Sequence, residues 1–272
     1  MYRAQHLFLS LFLCRSIHFH PMRIIKLGTI PHWTFAFSLL IVGCAGPGAA
    51  HRKPAIHTGY AYAFLSRPAD RVQERNLHRA RKMRAKARKH YTIAFQEGLA
   101  QLEDRHPGFN DSLMLNPGGA VAITTEEDAS LLYWTAAALG SAVGLSKDRP
   151  EMLIRLAQVG TLAHRVVELQ PDYMNGAAYE LLMIYEASRP AMMGGSLSLA
   201  KHYYEQALSI SQGRSAGLFV GYAEGICIQE QNREQFVSML ERALDVKAGG
   251  ATNRLAKRRA KWLLQRIDDL FL

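Results

Sequence analysis

Three cysteines, Cys14, Cys44 and Cys227, supply the thiols of this sequence, and they form no CxxC pair and no metal-ligand spacing. Cys44 closes the segment IVGC (41–44), which has the lipobox order of apolar, small or apolar, small, then cysteine. Cys14 follows the bulky Leu13 and therefore fits that pattern poorly. We predict that lipid is attached to the Cys44 thiol. The alternative is a short buried element that contains a cysteine by chance.

The residues ahead of Cys44 have the organisation of a secretion signal. In the segment MRIIKLGTIPHWTFAFSLLIVGC (22–44), Arg23 and Lys26 form a positive start, and a short apolar stretch (34–42) follows. That stretch is far shorter than the ~20 residues that a membrane-spanning helix needs. We expect translation to begin at Met22, which makes residues 1–21 an upstream extension.

These features divide the chain into three parts. Residues 1–43 are the extension plus the signal peptide, residues 44–65 are a lipidated tether, and residues 66–272 are a folded domain. Lipid attached at such a cysteine brings two or more acyl chains, which are enough for stable anchoring. Ala45, in place of aspartate, favours the outer membrane, in which case the domain faces the periplasm.

The folded part has the pattern of an all-α domain. A long helix is predicted from near Ser66 to the Pro107-Gly108 stop, with Pro68 in its first turn. A capping box at 125–128 predicts the start of the next helix. Helix follows helix from there, and no segment shows sustained strand alternation.

One helix face recurs along the domain with the spacing i, i+3, i+4, i+7. It occurs in paired helices, and Phe219 and Phe236 begin the faces of the last pair 17 residues apart, as in a tetratricopeptide hairpin. We therefore predict degenerate tetratricopeptide-like hairpins, stacked into a bundle or solenoid. The first members of these faces are Trp134 and Val159, Ala178 and Ala200, and Phe219 and Phe236.

The charge is concentrated rather than spread. The net charge is +10, and much of the excess lies at residues 71–89. A local basic run ahead of a nearly neutral domain argues against nucleic-acid binding. The run fits a solvated helix, a surface against anionic lipid head groups, or a docking site for an acidic partner.

Several residues are candidates for binding a ligand or partner. The segment 189–195 combines a proline that ends a helix, glycines that allow close backbone approach, and adaptable methionines; its alternative is an ordinary connecting loop. Its candidate residues are Arg189, Pro190, Met192, Met193, Gly194 and Gly195.

Other candidates lie on apolar helix faces. Tyr133, Trp134 and Tyr185 are candidates to line a channel, although aromatic residues at helical spacing are more often core. Arg259 shares a face with Trp262 and needs a carboxylate partner, either from a ligand or from the protein itself. Asp268 and Asp269 are the acids nearest in sequence, and an internal salt bridge is the simpler account.

Motifs of catalysis and of metal binding are missing from the sequence. There is no HExxH, no GxSxG and no P-loop, and the eleven histidines are scattered. Cys227 falls on a helix face, which predicts a buried residue rather than a nucleophile. We expect no enzyme activity, no cofactor and no metal.

An ordered set of motifs resembles one transport family. These are YWTAAALG (133–140), PDYMNGAA (171–178), RPAMMGG (189–195), FVSML (236–240) and KRRAKWLLQRIDDLF (257–271). The set resembles the T-component family of tetratricopeptide-associated TRAP transporters, over about residues 86–272. The basic stretch 71–89 and the long signal region depart from that family.

The resemblance implies a periplasmic lipoprotein that works beside a TRAP-type solute-binding protein. It further implies a helical bundle, a trimer, and an internal channel for a hydrophobic or organic-acid ligand. The main alternative is a free-standing tetratricopeptide-like lipoprotein that scaffolds an envelope complex, and an unrecognised hydrolase is a third possibility.

Overall fold

The computed structural model describes residues 52–271, and all regular secondary structure within that range is helical. The first part comprises α1 (Arg52–Tyr60), a π-helical turn (Ala61–Ser66), α2 (Arg67–Gln73), α3 (Leu77–Arg105), α4 (Phe109–Leu115) and α5 (Pro117–Ala122). The central part comprises α6 (Ala129–Gly144), α7 (Pro150–Leu153), α8 (Leu156–Leu169), α9 (Ala177–Ser188) and α10 (Leu197–Ser211). The last part comprises α11 (Ala216–Tyr222), a second π-helical turn (Ala223–Cys227), α12 (Arg233–Asp245), α13 (Ala251–Leu264) and α14 (Ile267–Leu270).

The helical domain begins earlier than the sequence predicts. Residues 52–65, which we expected to be tether, form α1 and most of the first π-helical turn. Thr58 and Ala61 are completely buried, because α1 packs against α3 and α6. Small side chains at these positions permit that close packing. The proposed signal and Cys44 lie outside the described residues.

The predicted long helix from Ser66 is interrupted. α2 ends at Gln73 and α3 begins at Leu77, with Asn76 between them. The Asn76 side chain accepts a hydrogen bond from the Arg79 amide at 2.8 Å, which caps the new helix. The stop before Pro107-Gly108 and the capping box at Thr125 and Asp128 are confirmed.

The predicted helix pairs pack against each other in chain order: α6 with α8, α9 with α10, and α11 with α12. The recurring faces are the surfaces that they bury. The first four residues of each second-helix face are all buried: Val159, Leu162, Ala163 and Val166; Ala200, Tyr203, Tyr204 and Ala207; Phe236, Met239, Leu240 and Ala243. The prediction of an all-α fold built from packed helix pairs is confirmed.

Helix α6 lies at the centre of the bundle, and every residue from Leu131 to Val143 is buried. α3 approaches it closely at Gly98, where a Cβ would collide with the side chain of Thr135. Gly160 of α8 similarly faces the ring of Tyr185 on α9. Among the described residues, no helix combines the length and apolar character required to cross a membrane.

Candidate functional site

The segment 189–195 is a short connection between α9 and α10. Pro190 has extended backbone angles that end α9, and Gly194 has φ of +80°. Gly195 lies against the carbonyl of Arg189, and a Cβ at Gly195 would overlap that oxygen. The two glycines are therefore needed for this particular path of the chain.

Arg189 holds this connection in place. Its guanidinium donates to Glu186 Oε1 at 2.5 Å and to the Met193 carbonyl at 3.2 Å. It also stacks over the Tyr185 ring at 3.9 Å from the centroid. The other Glu186 oxygen accepts the Ser196 amide at 3.2 Å, at the start of α10. Burial raises the pKa of Tyr185.

The methionines of the connection point away from this network. Met192 is 77% exposed and Met193 is 38% exposed. The connection therefore presents two adjacent methionine side chains on an ordered backbone. The structure thus brings Tyr185, Arg189 and the glycines together, where they hold the backbone of the connection. It leaves the methionine side chains exposed to solvent.

Tyr133 and Trp134 are core residues. They are 2% and 5% exposed, and their rings meet edge to face at 5.1 Å. Tyr133 also contacts the ring of Tyr173 at 5.2 Å, and burial raises its pKa well above the ordinary value. No described ring contact connects these two residues to Tyr185. A channel lined by the three aromatics stays a prediction.

Arg259 is 7% exposed and is paired inside the protein. Its guanidinium donates to Glu224 Oε1 at 2.5 Å and lies 3.1 Å from Asp70 Oδ2. The predicted internal salt bridge is confirmed, but the partners suggested by sequence proximity were wrong. Asp268 instead pairs with Arg233 and Asp269 with Arg266, at 2.7 and 3.2 Å.

Arg259 belongs to a buried charge cluster, defined as Arg67, Asp70, Arg84, Glu224 and Arg259. Arg67 approaches the second Glu224 oxygen at 3.3 Å, and Arg84 donates to Asp70 at 2.8 Å. The cluster joins α2 and α3 to the second π-helical turn and α13. It therefore connects the first helices of the domain to the last ones.

Glu224 is ionised because of its neighbours. Burial by itself would raise the pKa of this carboxyl, but Arg259 and Arg67 hold it below the ordinary value. Arg67 and Glu224 are 157 residues apart, and neither stands out in the sequence. The requirement that Arg259 have a carboxylate partner was the one sequence signal that pointed to the cluster.

A cleft near the ends of α10 and α12 was not predicted. It has a volume of about 630 Å³, and its lining includes Arg214, Arg242, Lys247 and Phe219. Arg242 lies over the Phe219 ring at 4.4 Å and donates to the Tyr204 hydroxyl at 3.2 Å. The basic side chains come from separate helix ends, so no local motif indicates the cleft.

The predicted burial of Cys227 is confirmed, and burial raises the pKa of its thiol to about 12. Such a thiol stays protonated at neutral pH, which disfavours a nucleophilic role. Within residues 52–271, no group of three or more His, Cys, Asp or Glu side chains is arranged to hold a metal ion.

These features define an all-α protein built of packed helix pairs, with a pinned and exposed connection between α9 and α10. The profile of the family described as TRAP transporter T-component matches residues 50–271, which is most of the chain. The chain belongs to this family. An uncharacterized protein of Treponema pallidum (strain Nichols) is 26% identical over 239 residues, which cover 82% of this chain and 73% of that relative.

Proposed function

We propose that this chain is a periplasmic lipoprotein that binds the solute-binding protein of a TRAP transport system. Family membership over residues 50–271 carries the proposal, since it assigns an accessory role in such a system. The segment IVGC (41–44) supports attachment of lipid at Cys44, and Ala45 favours the outer membrane.

The connection 189–195 is the proposed docking site for the solute-binding protein. Exposed apolar side chains are stabilised when a partner removes them from water, and the connection offers two adjacent ones, Met192 and Met193. The Glu186 and Arg189 contacts keep the backbone ordered before binding, which reduces the entropy lost on association.

Pull-down with a TRAP-type solute-binding protein tests this site. We expect the unmodified chain to retain the binding protein and the Met192→Asp variant to lose at least about tenfold in affinity, because a buried charge replaces an apolar contact. Leu115→Asp is the matched control, since Leu115 is 87% exposed on α4. Equal retention by the two variants would exclude the connection as the docking site.

The anchor is tested separately by labelling cells with radioactive palmitate. The Cys44→Ala variant lacks the thiol that receives lipid, so we expect the unmodified chain to be labelled and this variant to carry no label. Equal labelling of the two chains would contradict lipid attachment at Cys44.

The internal channel for a hydrophobic or organic-acid ligand and the trimer remain part of this proposal. Tyr133, Trp134 and Tyr185 are the aromatic residues proposed for the channel. Sedimentation velocity measures the oligomer, and a monomer at all concentrations would contradict the trimer.

A further inference from the structure

Helix α1 and the turn after it carry an exposed apolar stripe. Ile56, Tyr60 and Phe64 recur every four residues, and they are 54%, 43% and 63% exposed. The rings of Tyr60 and Phe64 lie 5.6 Å apart, so the stripe continues from the α-helix into the π-helical turn. Three large apolar groups in line on one helix exceed the scattered exposure that soluble surfaces normally show.

A basic ridge on α3 borders this stripe. Arg79, Lys82, Lys86 and His90 are spaced three, four and four residues apart, which places them on one side of the helix. Burial and the neighbouring His57 lower the pKa of His90, so Arg79, Lys82 and Lys86 supply the positive charge of the ridge. The ring of His90 contacts Tyr60 at 5.0 Å and stacks on His57 at 5.3 Å. At ~1.5 Å per residue, the ridge is about 16 Å long.

The ridge is not neutralised by the protein. Residues 77–96 contain no aspartate or glutamate. Of the seven Arg and Lys residues in α3 before His90, Arg84 pairs with Asp70 and Arg88 with Asp148. No described carboxylate forms an ion pair with the other five. Three of these, Arg79, Lys82 and Lys86, belong to the ridge, and Arg81 and Lys89 lie beside them in sequence.

We infer that the stripe and the ridge together form a membrane-contact surface, which lies on a bilayer of anionic phospholipid. An apolar stripe beside lysine and arginine is the composition by which a helix lies in the interface, with rings among the acyl chains and cations at the phosphates. Exposure of the ridge to solvent alone does not account for the exposed aromatic side chains beside it.

The position of α1 in the chain agrees with contact between the stripe and a bilayer. Seven residues lie between position 44 and Arg52, and the eight extended steps from one to the other span at most about 28 Å. If lipid is attached at Cys44, as proposed above, α1 is therefore held near the bilayer surface. The stripe and the ridge stand without the anchor, and the experiment below leaves the anchor out.

Vesicle co-sedimentation of a chain beginning at residue 45, which contains every described helix, tests the inference. We expect binding to phosphatidylcholine vesicles that contain phosphatidylglycerol, little binding to phosphatidylcholine alone, and weaker binding as salt is raised. Phe64→Ala should weaken partition at least about tenfold, and each of Lys82→Gln and Lys86→Gln roughly fivefold.

Two matched controls keep the test specific. Leu115→Ala removes a more exposed apolar side chain on α4, and Lys247→Gln removes an exposed cation beside the cleft. Both should bind vesicles as the unmodified chain does. Binding that ignores phosphatidylglycerol, or equal losses in the variants and the controls, would overturn the inference.

Sedimentation velocity of the Phe64→Ala variant distinguishes a bilayer from a second copy of the chain as the occupant of the stripe. If the unmodified chain does not bind vesicles and Phe64→Ala changes its oligomeric state, the stripe is an interface between copies and the inferred membrane-contact surface is wrong. Neither result depends on the solute-binding protein or on Cys44, so failure here leaves the proposed function untouched.

Discussion

Gly195 is a position where one added carbon changes the candidate docking site. The Arg189 carbonyl occupies the space in which a Cβ would lie, and Gly194 beside it has a positive φ. The connection therefore keeps its path only with glycine at Gly195. The neighbouring Arg189 is already fixed by Glu186, so the backbone cannot move freely to relieve the overlap.

The Gly195→Ala variant should lose about 1–3 kcal/mol of unfolding free energy, which is the usual cost of overpacking. Urea denaturation measures this change. Gly249→Ala is the control, because nothing lies within 4 Å of a Cβ at that position. A Gly195→Ala variant as stable as the control would show that the connection rearranges at no cost.

At the scale of elements, the crossing of α3 and α6 depends on a small residue. Gly98 faces Thr135, which is completely buried and whose hydroxyl donates to the Leu131 carbonyl at 2.7 Å. A β-branched side chain in a helix has few alternative rotamers, so it cannot move aside easily. The contact sets how closely the two helices approach.

Gly98→Ala should destabilise the domain by about 1–3 kcal/mol, despite the better helix propensity of alanine. Adding Thr135→Ala removes the hydroxyl that lies nearest to the added Cβ, so Gly98→Ala should cost less in the Thr135→Ala background than in the unmodified chain. Thermal or urea unfolding of the four chains gives the coupling energy. Strict additivity would show that the two side chains do not meet.

The sequence predicts helix faces and the pairing of successive helices well, and it predicts contacts between distant elements poorly. The helix face of Val159, Leu162, Ala163 and Val166 follows a local spacing, and these four positions are buried as that spacing predicts. α1 was missed because Pro54 and Gly59 resemble a linker, whereas burial against α3 and α6 stabilises the helix. The break at Asn76 was missed because the basic residues on either side are good helix formers.

The candidate site shows the same division. Gly194 and Gly195 were predicted to allow close backbone approach. The positive φ of Gly194 and the contact of Gly195 with the Arg189 carbonyl agree with that prediction. The partners of Arg259 were misassigned because Asp70 and Glu224 come from distant elements that only the folded chain brings together. Sequence separation is a poor guide to an ion pair across a bundle.

On the scale of the whole molecule, the buried charge cluster links α2 and α3, near the start of the domain, to α13 near its end. Replacing Glu224 by glutamine leaves Arg67 and Arg259 with no charged partner at that position, so we expect a loss of about 3 kcal/mol. The control is Glu230→Gln, whose more exposed pair with Lys201 should contribute about 0–1 kcal/mol. Urea unfolding of both variants at neutral pH measures the difference.

The same cluster predicts a dependence of stability on pH. Because the pKa of Glu224 is depressed in the fold, its contribution is complete above the ordinary value of 4.5 and is lost as the pH falls through the folded value. The stability gap between the unmodified chain and Glu224→Gln should therefore narrow as the pH falls below 4.5. A gap that stays constant with pH would contradict ionisation of Glu224 in the fold.

We propose that this member of the T-component family binds a TRAP-type solute-binding protein. The most direct measurement is titration calorimetry of the purified chain with the TRAP-type solute-binding protein of the same organism. We predict saturable binding that Met192→Asp weakens at least about tenfold and Leu115→Asp leaves unchanged. No detectable heat and no complex by sedimentation at high concentrations of both proteins would contradict the account.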